Sequence, residues 1–233
     1  MVARSESYDM VIRQRAIQAE DKRERHDAIL DAAERVLLHS PERVASVAEV
    51  ADDAGLAKGT VYLYFPSKEE LLLAVHERRI DAFFRDVIEL VEAETSVSID
   101  AMLVLTRRHL VEPPLFLPLA SRCFGMMAHS LPVDAAMAFK QRMAKRLERA
   151  GAGLERHFAR LPPGGGVALL RRSYALILGL WQMSVTASGE SATCAMAGPG
   201  ASPVFAWSYA AELDVALRAL WQGMIGAALE NPQ

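Results

Sequence analysis

The chain has 233 residues, 52% of them hydrophobic and 24% charged, with a net charge of −3 and a pI near 6.1. That balance excludes a disordered chain, which is too polar to bury a core, and a protein that coats nucleic acid non-specifically, which needs a strongly basic surface. The two cysteines, Cys123 and Cys194, stand far apart without metal-ligand spacing, no run reaches the ~18 apolar residues of a membrane span, and the first residues show no secretory pattern. A cytoplasmic protein without a cofactor is the expectation.

Residues 1–22 mix acidic and basic side chains, with Arg13, Arg15 and Lys22 among them, and read as an arm or as an extension of the first helix. From about Glu24, the apolar residues Ile29, Ala33, Val36 and Leu37 recur at helical spacing, and Ser40-Pro41 ends the run. Ser46 then caps a short helix, Glu49 supplies the other half of a capping box, and Gly55 closes it. Lys58 to Phe65 is a second short helix, ended by Pro66-Ser67. Ser67 and Glu70 form another capping box at the head of a long amphipathic helix that reaches Glu94.

Beyond Ser96, helices are predicted between Pro113-Pro114, Pro118, Pro132, Pro162-Pro163 and the turn Gly164-Gly165-Gly166. The last two helices span Val167 to about Thr186 and Trp207 to Leu229, and the Ser188 to Pro203 stretch between them reads as a mobile loop. No alternating strand pattern and no repeat occur. The prediction is an all-α fold: an arm (1–22), a three-helix helix-turn-helix domain (23–70), and a larger helical domain (71–233) entered through the long helix.

The helix-turn-helix reading rests on fixed offsets. Ala51 is small where the second helix passes closest, and Gly55 supplies the left-handed conformation that ends the first helix. Val50, Ala54, Leu56, Val61 and Tyr64 fall on the inner face of the pair. Alone, the Ala-x-x-x-Gly pair fits a packed α-hairpin equally well.

The flanking run SVAEVADDAGLAKGTVYLYFPSKEELL adds more. Over about residues 24–75 the chain resembles the TetR family of transcriptional regulators, which carry a Tyr-x-Tyr/His-Phe-x-x-Lys-x-x-Leu run after the turn. The resemblance implies a DNA-binding regulator, a repressor more often than an activator, with a recognition helix at Lys58 to Phe65 in the major groove. It places Thr60 and Leu63 toward base edges, and Lys58 and Gly59 at a helix start whose free amides favour phosphate. Tyr62 matches a phosphate-contacting tyrosine, with a core aromatic as the alternative. Tyr64 has the same ring and hydroxyl, and packing is its competing role. Lys68 matches a phosphate-contacting lysine against the alternative of a solvated one, and Ser46 a hydroxyl that contacts phosphate while capping its helix. Two positions depart from the family: Ala57 stands where Ser or Thr is usual, and Ser40-Pro41-Glu42-Arg43 replaces a glycine turn.

The resemblance also implies that the remaining two-thirds is a ligand-binding and dimerisation domain. Leu176, Gly179, Leu180 and Met183, with Leu213, Leu217, Leu220 and Met224, suit either a four-helix interface across a two-fold axis or intramolecular core. A pocket for an apolar or aromatic effector would draw on Phe116, Phe124, Met127, Tyr174 and Trp181, together with Met126 and Phe139. His109, His129 and Arg122 are candidates for polar contacts. The long helix is the expected lever between ligand and DNA. The expected partners are an operator duplex, a second copy of the chain and a small-molecule effector. A regulator without an inducer, whose helical domain only dimerises or binds a protein, is an open alternative. An all-α enzyme or lipid carrier is more remote. His76-Glu77 lacks the second histidine of a zinc-protease motif, the Gly164–Gly166 run has no following Lys-Ser/Thr, and Cys123 and His129 fall on different helix faces.

Overall fold

The computed structural model describes residues 3–39, 45–187 and 208–226, and every regular element among them is helical. The chain divides into two compact units, Met1–Val75 and His76–Gln233. The Ser40–Arg43 turn and the Ser188–Pro203 loop lie outside the described residues, as do the side chains of Arg13 and Arg15.

In the first unit α1 (Ala3–His39) is a single long helix, so the stretch before Lys22 extends the helix rather than forming a separate arm. Ile29, Ala33 and Leu37 are buried along one side. Helix α2 (Val47–Asp53) packs against both α1 and α3 (Lys58–Tyr64). Its start is fixed by Ser46. The Ser46 hydroxyl accepts from the Glu49 N–H at 3.2 Å, and the Ser46 N–H donates to the Glu49 carboxylate at 2.9 Å, completing the capping box. Its end is fixed by Gly55 at φ +66°, a conformation that costs a side-chain-bearing residue about 1 kcal/mol or more. Val50, Ala51 and Val61 are buried between the helices, while Ala54, Leu56 and Tyr64 are only half-buried. Arg35 on α1 pairs with Asp53 at 2.7 Å, and the His26 ring lies 5.0 Å from that of Phe65.

Helix α4 (Lys68–Glu92) starts where the Ser67 hydroxyl accepts from the Glu70 N–H at 3.1 Å. In the second unit follow α5 (Ile99–Thr106), a π-helical turn at Arg107–Val111, α6 (Phe116–His129), α7 (Val133–His157), α8 (Gly165–Ala187) and α9 (Tyr209–Gly226). Helix α8 packs against α7, α9 and α6. Glycines allow the closest approaches: a Cβ on Gly166 would come within 2.7 Å of the Gly151 carbonyl carbon, and one on Gly153 within 2.7 Å of Val91 Cβ. The core gathers Phe83, Phe84 and Val87 of α4, Met102 of α5, Leu154 of α7, Leu169 of α8 and Trp221 of α9.

In the last two helices most of the named residues take the intramolecular role. Leu213 and Leu217 are each 3% exposed and belong to the core of their own chain, and Leu176, Leu180, Leu220 and Met224 pack against that core. The outward face is made instead of Gly179 and Met183 on α8 with Ala211, Val215, Ala219 and Gly223 on α9. Both faces of these helices are apolar, so periodicity alone cannot say which one turns inward.

Candidate nucleic-acid interface and ligand cavity

Helix α3 begins without a side-chain cap. Ala57 has extended dihedrals suited to capping, φ −69° and ψ 142°, but only a methyl group to offer. The N–H groups of Thr60 and Val61 both close on the Ala57 carbonyl. The amides of Lys58 and Gly59 therefore have no acceptor within the helix. Along α3 the residues divide by face. Val61 is fully buried and Tyr64 and Thr60 half-buried, whereas Lys58, Gly59, Tyr62 and Leu63 are exposed. Leu63 is 82% exposed and Tyr62 42%, so this short helix presents a leucine and a tyrosine ring to solvent. The Lys58 ammonium sits 5.9 Å from the centre of the Tyr62 ring, a cation–π contact one helical turn long.

Lys58 and Tyr62 line a shallow cleft with Ser46, Ser67 and Lys68. The cleft thus collects two ammonium groups, a phenol and the first residues of α2 and α4. Lys68 is exposed and lies 3.7 Å from the Glu69 carboxylate, a loose surface pair. Ser46 also lines the cleft, yet its hydroxyl donates to Glu49 at 2.8 Å while accepting from the Glu49 N–H. An incoming acceptor must displace the first of these bonds. Six of the eight residues named from sequence, Ser46, Lys58, Gly59, Tyr62, Leu63 and Lys68, are exposed on α3 or at a helix start; Thr60 and Tyr64 are half-buried.

The second unit encloses a cavity of about 230 Å³ walled almost entirely by apolar side chains. Phe124, Met127, Phe139 and Tyr174 line it, as the sequence suggests. Phe116 and Trp181 do not. Phe116 is fully buried behind the wall, its ring stacked on that of His76 at 5.6 Å, and Trp181 is half-buried against the core from α8. Met126, Arg122 and His129 of α6 are likewise off the wall. His109 is held by Asp86 at 2.7 Å beside Phe83, which makes it structural.

The wall holds residues that the sequence reading assigns elsewhere or not at all: His76, Phe83 and Phe84 of α4, Thr106 and Leu110 at the π turn, and Trp221 of α9. Trp221 follows Leu213 and Leu217 at four-residue spacing, but the exposed Val215 and Ala219 repeat at the same spacing, so the pattern does not single it out. Burial pushes the His76 imidazole down to about 4, against a smaller opposing effect of Glu77, so the ring is neutral at pH 7. Among the described residues its Nδ1 has no hydrogen-bond partner, and its Nε2 is 3.4 Å from the Tyr174 hydroxyl. Burial likewise pushes the Cys123 thiol up to about 12 and raises Tyr174 above the ordinary phenol range. Burial opposes ionisation of Glu77, but the hydrogen bonds and positive charges of Arg142 and Arg146 together hold its carboxyl below the usual range. Among the described residues no three His, Cys, Asp or Glu groups gather to hold a metal, and no helix is long and apolar enough to cross a membrane.

Comparison with known proteins places both units. Residues 29–75 match the family described as "Bacterial regulatory proteins, tetR family", and residues 77–228 match the "Tetracyclin repressor-like, C-terminal domain". The chain is 29% identical over 86 residues to the fatty acid metabolism regulator protein of Bacillus subtilis, an alignment covering 37% of this chain and 44% of that one. It is 36% identical over 74 residues to the HTH-type transcriptional regulator EthR of Mycolicibacterium smegmatis, covering 30% and 34% of the two chains. It is 39% identical over 75 residues to the HTH-type transcriptional repressor KstR of Mycobacterium tuberculosis, covering 31% and 34%. These alignments span less than half the length of each relative, whereas the two family matches together run from Ile29 almost to the end of the chain. On that coverage the chain belongs to the tetR family of bacterial regulatory proteins.

Proposed function

We propose that the chain is a transcriptional repressor that binds a two-fold-symmetric operator as a homodimer and leaves it when a small, mainly apolar molecule occupies the helical unit. The observation that carries this reading is the outward face of α3, where Leu63, Tyr62, Lys58 and the amides of Lys58 and Gly59 are exposed beside a cleft with a second lysine. A seven-residue helix with its leucine in water gains from a partner with an apolar edge, such as a thymine methyl group in the major groove. Thr60 and Leu63 read bases. The amides of Lys58 and Gly59, the Tyr62 hydroxyl and Lys68 hold phosphates, and Ser46 joins them only by releasing Glu49.

The outward α8–α9 face supports dimerisation. Among the described residues nothing stands within 4 Å of a Cβ built on Gly179 or Gly223, which leaves the backbone there open to a second copy. The apolar cavity supports an effector, which acts by favouring the dimer state whose recognition helices are not about 34–36 Å apart. The protein works by binding rather than by catalysis. Selection of duplexes from a random pool by the full chain tests this reading. The expected result is enrichment of two inverted half-sites with fixed spacing; failure to enrich any duplex at low salt overturns it.

A further inference from the structure

On the cavity wall Trp221 donates to Ser173 at 3.0 Å and Thr106 to the Met102 carbonyl at 2.8 Å, whereas the pair His76 and Tyr174 is poorly satisfied. His76 is 4% exposed, its Nδ1 has no hydrogen-bond partner among the described residues, and 3.4 Å to the Tyr174 hydroxyl is long for an O–H···N bond. A buried polar group left unpaired is costly, so such groups in native proteins point to a missing partner. Around the pair stand Phe84, Met102, Phe139, Met143 and Trp221, which offer dispersion contacts and no charge. The cationic side chain on the wall, Arg171, occupies an exposed position of α8. A dry 150 Å³ cavity holds benzene, so one of about 230 Å³ takes roughly ten non-hydrogen atoms, a bicyclic ring or a chain of similar bulk.

We infer that the cavity selects an uncharged, bicyclic-sized apolar molecule bearing one hydroxyl group, which the His76 imidazole and the Tyr174 phenol hold by hydrogen bonds. A hydroxyl both donates and accepts, and so satisfies the pair in either imidazole tautomer. A carboxylate seated there would face a neutral ring and a protonated phenol. It would lose its hydration without gaining a counter-charge. This inference rests on the reading of the helical unit as a ligand receptor, and it adds the chemical class of the ligand.

Three probes of one shape test it by titration calorimetry on the full chain: naphthalene, 2-naphthol and 2-naphthoate. The expected order is 2-naphthol at least tenfold tighter than naphthalene, with 2-naphthoate weaker than both. Tyr174→Phe and His76→Phe are expected to bring 2-naphthol down to the affinity of naphthalene, while naphthalene itself stays within twofold and so reports an intact cavity. The wild-type ratio decides the matter even if one variant does not fold. Equal binding of naphthalene and 2-naphthol overturns the polar pair. Preference for 2-naphthoate, abolished in Arg171→Ala, overturns it in favour of an anion at Arg171. Binding of none of the three overturns the site while leaving DNA binding intact. Conversely, 2-naphthol that binds as expected but leaves the protein on its duplex contradicts ligand release and upholds the site.

Discussion

At the head of α3 a methyl group stands where a hydroxyl would close the first turn, and the backbone of Ala57 already holds the extended geometry that a cap needs. Ala57→Ser is therefore expected to stabilise the first unit by about 1 kcal/mol, read as a higher urea midpoint. An unchanged midpoint would show that the first-turn amides are satisfied in another way. His76 makes a residue-scale prediction of opposite kind. Its folded-state pKa, about 4, lies below the ordinary value of 6.5. The unfolded chain therefore binds its proton first as pH falls. Stability is full above pH 6.5, declines between about 6.5 and 4, and the loss saturates near 3 kcal/mol. His76→Phe should flatten the dependence of the urea midpoint on pH between about 6.5 and 5. A slope as steep as wild type would mean that another group carries it.

At the scale of elements, the packing of one helix on another depends on positions with no side chain. The Gly166 backbone lies against the Gly151 carbonyl, so Gly166→Ala sets a methyl group against backbone that has no rotamer to change. A loss of about 3 kcal/mol in unfolding free energy is expected. Gly179 is the contrasting case, with no described residue close to it: Gly179→Ala should leave the monomer as stable or slightly more so. If α8 and α9 form the dimer face, the same change weakens self-association. Sedimentation equilibrium that finds it unaltered would move the interface elsewhere. Elements also differ in how far the sequence reveals them. Helices α2 and α3 are legible because Ser46, Glu49 and Gly55 act within a few residues of chain, and short-range hydrogen bonding is written locally. The facing of α9 is not, because Leu213 and Leu220 differ only in what lies opposite them. His76 is legible only as half of an absent zinc motif; that it walls a cavity depends on α6 and α8, far along the chain. Phe116 and Trp181 resemble pocket residues in the sequence because an aromatic ring in a core and one in a pocket read alike.

For the whole molecule, the net charge of −3 means that the proposed affinity for DNA would come from a few well-placed groups rather than a general field. That makes the salt dependence of binding the direct probe of the recognition face. The affinity of the full chain for its selected duplex should be measured by fluorescence anisotropy across a range of salt, alongside Lys68→Ala and Tyr62→Ala. If the α3 cleft holds phosphates, each variant binds every sequence more weakly, and Lys68→Ala lowers the slope of log affinity against log salt by about 1 for each phosphate that the lysine neutralises. Variants that match the wild-type affinity and slope would contradict the placement of DNA on this face.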